Sequence, residues 1–252
     1  MQIGRYRTIA IDDFKKHLPK SLCNSPVHAV RALKELGLIR SHYIQPHAVR
    51  EVKKRDAGPV SDTRIKATTK APSLEVIVLT HKGAEWLRAN GYDEAAAGKL
   101  HPGFAKPREA FHDAHLYTMA QRESERLRSA GATRINATPD STLKAALYRE
   151  RARLFADGRT EEQAHIEAAD TYNIPLQDGK YALPDVRLDY DMPDGSHHSI
   201  DLELITDTYR DSHIAAKAAA GFTSYAVDKA GNVSRGGGSP WDEEWMARSM
   251  SR

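Results

Sequence analysis

Apolar positions along the chain alternate between helical and strand spacing, and the switches mark its elements. In "SPVHAVRALKELGLIR", Val27, Val30, Leu33 and Leu36 recur at close to helical spacing. Ser25 suits the N-cap, Pro26 the first helical position and Gly37 the stop. Upstream, "IDDFKKHLP" predicts a shorter helix, capped by an Asp and ended before Pro19. "SLEVIVLTHKGAEWLRANG" predicts a strand over Leu74–Leu79, then a helix with Thr80 as N-cap and Gly91 as stop. After a Pro/Gly linker from His101 to Pro107, a helix is expected from about Arg108 to Ala130, with Ala110, Ala114, Tyr117 and Leu127 on one face. "PDSTLKAALYRERARL" and "RTEEQAHIEAADTYNI" predict two more helices, broken at Asp157-Gly158.

The period then changes to two. Val186, Leu188 and Tyr190 alternate with Asp185, Arg187, Asp189 and Asp191, and Ile200, Leu202 and Leu204 alternate with Ser199, Asp201 and Glu203. Pro193, Asp194 and Gly195 between them fit a three-residue hairpin loop with Gly195 in the left-handed region. That loop sets Met192 against Ser196, hence Arg187 against Asp201 and Asp185 against Glu203. Two opposed carboxylates lie with Cβ atoms roughly 5 Å apart and call for a cation, a shared proton or a nearby Arg. The alternative is a solvated face on which Arg187 pairs with Asp201. A helix over about Asp207–Ala220 and a strand in "FTSYAVD" follow, the spacing of a crossover between parallel strands. The tail, 231–252, reads as a Gly-rich linker and a short helix from Pro240 carrying Trp241 and Trp245 on one face.

Charge adds a division. Met1–Ala110 holds 20 Lys and Arg against 11 Asp and Glu, a net of +9, and Phe111–Arg252 holds 17 against 23, a net of −6. A basic half beside an acidic half suggests a polyanion-binding module joined to something else. The basic residues concentrate in the weakly patterned stretch from Arg50 to Pro72, with Arg50, Lys53, Lys54, Arg55, Arg64, Lys66 and Lys70. Cys23 stands alone, so no disulfide framework is expected. No apolar run approaches the roughly 18 residues of a membrane span, and the N-terminus lacks the apolar core of a signal peptide. A cytoplasmic protein without a membrane partner is expected.

Helix, helix, strand, basic loop, strand, helix is the order of a winged helix. "LKELGLIR" and "LTHKGAEWL" resemble winged helix-turn-helix regulators. The resemblance implies a DNA-binding domain over 1–100, with Pro26–Leu36 in the major groove presenting His28, Arg31 and Lys34, and the Arg50–Lys70 loop as the wing. "HDAHLY", "LPDVRLDY", "DLELITDTYR" and "AAKAAAGFTSY" resemble the replication-relaxation family of mobile elements, which joins a winged helix to a PD-(D/E)xK nuclease-like domain. This implies an α/β (α+β overall) chain with a restriction-endonuclease-like mixed sheet flanked by helices over 108–230. Its partners would be double-stranded DNA and other mobilisation or replication proteins. It further implies that Asp185 and Glu203 hold Mg²⁺ or Mn²⁺ for phosphodiester cleavage. The lysine expected two residues after the acid is Ile205, so Lys217 on the next helix is its candidate replacement, and His112 is a candidate for acid/base work. On spacing alone, His112 and His115 read as one core or capped histidine and one solvated one. The departure at Ile205 equally suits a non-catalytic DNA-binding accessory protein or regulator.

Overall fold

The computed structural model describes residues 3–18, 25–44, 73–104, 106–205, 211–227 and 233–236. The architecture is mixed α/β. The first part runs β1 (Thr8–Ala10), α1 (Ile11–Lys16), α2 (Pro26–Glu35), β2 (Ile39–Ile44), β3 (Leu74–Leu79), α3 (His81–Ala89) and α4 (Glu94–Ala97). Its three strands form an antiparallel sheet in the order β1-β3-β2. Next come α5 (Pro107–Ser129), β4 (Thr133–Pro139), α6 (Asp140–Ala156), α7 (Glu161–Thr171), β5 (Leu176–Gln177), β6 (Lys180–Tyr181), β7 (Val186–Asp191), β8 (His197–Ile205), α8 (Asp211–Ala219), β9 (Thr223–Val227) and β10 (Val233–Arg235). The second sheet has the order β10-β9-β8-β7-β4. Its β8–β9 pair is parallel and its other pairs are antiparallel.

Local chemistry sets many boundaries where the periodicity predicts them. Ser25 Oγ accepts the His28 N–H at the start of α2, and Thr80 Oγ1 accepts the Gly83 N–H at the start of α3. Thr160 and Gln163 close a capping box on α7. Gly37, Gly91, Gly158 and Gly195 adopt positive φ where the expected stops and loop require it. Other boundaries differ. Ala10, with no capping side chain, stands at the N-cap of α1, and Asp12 and Asp13 lie in its first turn. β1 and β4 are too short or too polar to show an alternating pattern, and pairing partners make them strands. Val233–Arg235, expected inside a Gly-rich linker, is the edge strand β10, with Val233 fully buried. Pro240, Trp241 and Trp245 lie outside the described residues.

α5 joins the two sheets. It touches β1 and β2 of the first and β4, β7, β8 and β10 of the second. One apolar cluster runs through it, from Ile9, Ile39, Ile77 and Leu79 past Leu116, Tyr117 and Met119 to Val186, Leu188, Leu202 and Leu204. A helix with both sides covered is apolar or tightly packed nearly all round, as the unbroken burial from Asp113 to Ala120 shows. A second cluster, with Leu143, Leu147, Leu154, Ala164, Ala168 and Ile174, holds the α6–α7 hairpin together.

The hairpin register follows the expected one: Asp191 pairs with His197, Arg187 with Asp201 and Val186 with Leu202. Gly195 N donates to Met192 O at 2.9 Å, and Met192 N donates to Ser196 O at 2.9 Å. The polar face of this hairpin is not a uniformly solvated one. Glu203 is fully buried, and Arg187 is buried between Asp201, which it grips with two 2.7 Å hydrogen bonds, and the carbonyls of Tyr172 and Asn173. That guanidinium ties the end of α7 to the sheet.

Candidate functional site

The residues singled out in the carboxylate hairpin meet at one end of the β7–β8 pair. Asp185 stands one residue before the last paired position, Val186–Leu202. Its Oδ2 accepts the Leu204 N–H at 2.8 Å and lies 3.5 Å from His112 Nε2 on α5. The carboxylate is therefore held against β8 beside Glu203. Lys217 on α8 donates to Glu203 at 3.0 Å and to the Leu183 carbonyl at 2.7 Å, and it packs 5.2 Å from the centre of the Phe222 ring. An ammonium from the following helix thus reaches the acid that lacks a lysine two residues on, where Ile205 ends the strand.

His112 bears on Asp185 with Asp113 Oδ1 on its other side at 3.8 Å. Burial disfavours the charged ring, but the two carboxylates outweigh it and push its pKa up to about 10. His115 is the core histidine of the pair, buried with Nδ1 2.7 Å from the Phe111 carbonyl.

Two further acids belong to this neighbourhood, and neither is among the residues expected from the sequence. Asp113 is nearly buried, and its Oδ2 has no hydrogen-bond partner among the described residues. Asp140 opens α6, and its N–H donates to the Asp185 carbonyl at 2.9 Å. Burial raises the Asp140 pKa, and repulsion from Asp185 and Asp113 adds to it. "HDAHLY" contains Asp113, so its signal was adjacent. Asp140 sits far from the hairpin in sequence and gave none.

For a metal ion the donors are oxygen atoms, the type that suits Mg²⁺ or Mn²⁺. Among the described residues, no three His, Cys, Asp or Glu side chains gather as a metal shell. Mg²⁺ keeps much of its water and is commonly bound by one or two carboxylates with substrate phosphates; of the two acids here, Glu203 is fully buried and paired with Lys217.

The presumed DNA-reading residues divide. His28 and Arg31 are exposed on α2, although Arg31 binds Glu35 at 2.7 Å. Lys34 does not project outward as expected: it is half-buried and pairs at 3.0 Å with Glu75 on β3. The Glu75 carboxylate turns it toward the sheet. Arg50, Lys53, Lys54, Arg55, Arg64, Lys66 and Lys70 lie outside the described residues. No helix among the described residues is long and apolar enough to cross a membrane.

No protein-family model, curated protein or solved structure matches this chain. The geometry therefore stands alone as the basis for a functional reading.

Proposed function

We propose that this chain is a DNA-binding protein of mobile-element replication or mobilisation, whose second half is a PD-(D/E)xK-like, metal-dependent DNA nickase. The observation that carries this reading is the Lys217 ammonium 3.0 Å from Glu203, with Asp185, just before the neighbouring strand, bonded to the Leu204 N–H. Two acids and a lysine then stand together although no lysine follows the acid in sequence. The β1-β3-β2 sheet, with α1 and α2 between β1 and β2, supports a winged helix in the first half. Double-stranded DNA would be its partner.

Asp185 and Glu203 would hold Mg²⁺ or Mn²⁺, which when bound supplies a Lewis acid for the phosphodiester. Lys217 offsets negative charge that develops on the phosphate, a role for a preorganised cation in a partly dry site. The His112 ring and the Leu204 N–H fix the position of the Asp185 carboxylate. Incubation of supercoiled DNA with the full chain and Mg²⁺ tests the reading. Nicking by wild type, lost in Asp185→Asn and Glu203→Gln variants that retain native circular dichroism, is expected. Absence of nicking by wild type, or equal nicking by both variants, rules it out.

A second reading has the same fold as a non-catalytic DNA-binding accessory protein or regulator. The full burial of Glu203 and its pairing with Lys217 favour it, because a neutralised carboxylate has less to offer a cation. Calorimetry decides: Mn²⁺ binding that Glu203→Gln abolishes counts against it.

A further inference from the structure

A cleft of about 170 Å³ is lined by Arg7, His101, Pro102, Gly103, Phe104 and Glu109. It is built from both halves of the chain. Arg7 comes from the segment just before β1, and Glu109 from the first turn of α5. The loop between them is fixed, because His101 N donates to Gly4 O at 3.0 Å and Gly103 N donates to Leu79 O at 2.8 Å. Arg7 lies between buried Tyr6 and Thr8, and its own backbone adopts φ 54°, uncommon for a non-glycine residue. Its neighbours are anchored in the core while its side chain remains 40% exposed in the cleft.

A phosphodiester approaching Asp185 meets Asp113, Asp140 and Asp185 together and needs compensating cations. Of the cations nearby, Lys217 is committed to Glu203 at 3.0 Å. Arg7 is held more loosely. Its salt-bridge contact with Glu109 is 3.7 Å long, and both side chains are about half exposed, so the pair contributes little. Its partner Glu109 stands one turn before His112 on α5, and the His112 ring lies 3.5 Å from Asp185. Burial, with the neighbouring Arg7 and Lys99 charges, holds the half-buried His101 ring below its usual pKa.

We infer that Arg7 and the His101–Gly103 loop form a seat for a DNA backbone phosphate flanking the Asp185–Glu203 site, with Glu109 as the anion's stand-in when no nucleic acid is bound. The inference rests on the reading of DNA as the ligand and extends it, because it makes the N-terminal segment part of the second half's site. A planar guanidinium suits a phosphate better than an ammonium does, through two parallel N–H donors.

The test uses the full chain and a labelled duplex in Ca²⁺, with binding followed by fluorescence anisotropy across salt concentrations. Arg7→Asn removes the charge while keeping a residue that tolerates the left-handed backbone. It is expected to weaken binding about tenfold and to lower the salt slope by about one. Arg7→Lys recovers part of the loss, and Glu109→Gln tightens binding. Arg134→Asn, which removes another exposed cation at a residue that is likewise left-handed, is the control for net charge. Arg7→Asn binding as tightly as Arg134→Asn overturns the inference, as does a Glu109→Gln variant that binds more weakly than wild type. Weakened binding by Arg7→Asn in a protein that does not nick supports the phosphate seat and removes the nickase.

Discussion

At the scale of single residues, two buried carboxylates show how the same group is stabilised for different ends. Glu203 answers to Lys217, and Glu123 answers to Arg126, Tyr225 and Arg235. Breaking either pair by truncation removes a compensating cation from a carboxylate in a dry place. Lys217→Ala is expected to cost about 3 kcal/mol in urea unfolding, and the double replacement Glu203→Leu/Lys217→Met less than that. A double variant less stable than the single one would refute this. Glu123 also makes stability depend on pH. Burial opposes its ionisation, but Arg126, Tyr225 and Arg235 prevail and hold its pKa below the ordinary 4.5. Its contribution is complete above the unfolded value and disappears as pH falls through the lowered native one. Glu123→Gln should therefore flatten the acid limb of a melting-temperature profile and leave its slope above pH 6 unchanged.

At the scale of elements, the close approaches are the sensitive points. Gly83, in the first turn of α3, leaves no room for a side chain: a Cβ there would stand 2.2 Å from the Leu38 carbonyl oxygen and 2.8 Å from Leu79 Cδ1. Gly83→Ala is expected to lower stability by about 2 kcal/mol, since backbone and not a flexible side chain must move. A melting temperature equal to wild type would contradict it. Arg187 is the corresponding point in the second half. Arg187→Ala deprives Asp201 and the end of α7 of their shared partner, and about 3 kcal/mol is the expected loss. Hydrogen exchange should rise first at Tyr172–Ile174. The hairpin itself was legible in the sequence, because a PDG loop fixes register and alternation fixes the buried face. Its polar face was not, because alternation distinguishes the two faces without saying what covers each. β4 and β10 were hidden for a related reason: they are strands only by virtue of neighbours distant in sequence.

At the scale of the whole molecule, α5 makes one cooperative unit out of two sheets. The winged-helix resemblance suggests a domain over 1–100 and the charge division falls at Ala110; one apolar cluster holds residues from both sides. Met119→Ala, in the middle of that helix and fully buried, should destabilise both halves by about 3 kcal/mol in a single transition. Trp86 fluorescence, in a chain with Trp241 and Trp245 replaced by Phe, reports the first half, and the amides of β7 and β8 report the second. Two separated transitions would show the halves to be independent.

By itself, the sequence determined what depends on near neighbours: the caps of α2 and α3, the Asp157-Gly158 break, the hairpin register and the pairing of Arg187 with Asp201. These are set by periodicity and by local backbone preferences, which act over a few residues. Only the tertiary structure decided what depends on long-range approach. It brought Lys217 to Glu203, turned Lys34 to Glu75, set His112 between Asp113 and Asp185, bonded Asp140 N–H to the Asp185 carbonyl and brought Arg7 to Glu109. Electrostatic environment is a property of distances in space, and residues 7, 112, 140, 185, 203 and 217 acquire those distances only when α5 and the second sheet close around them.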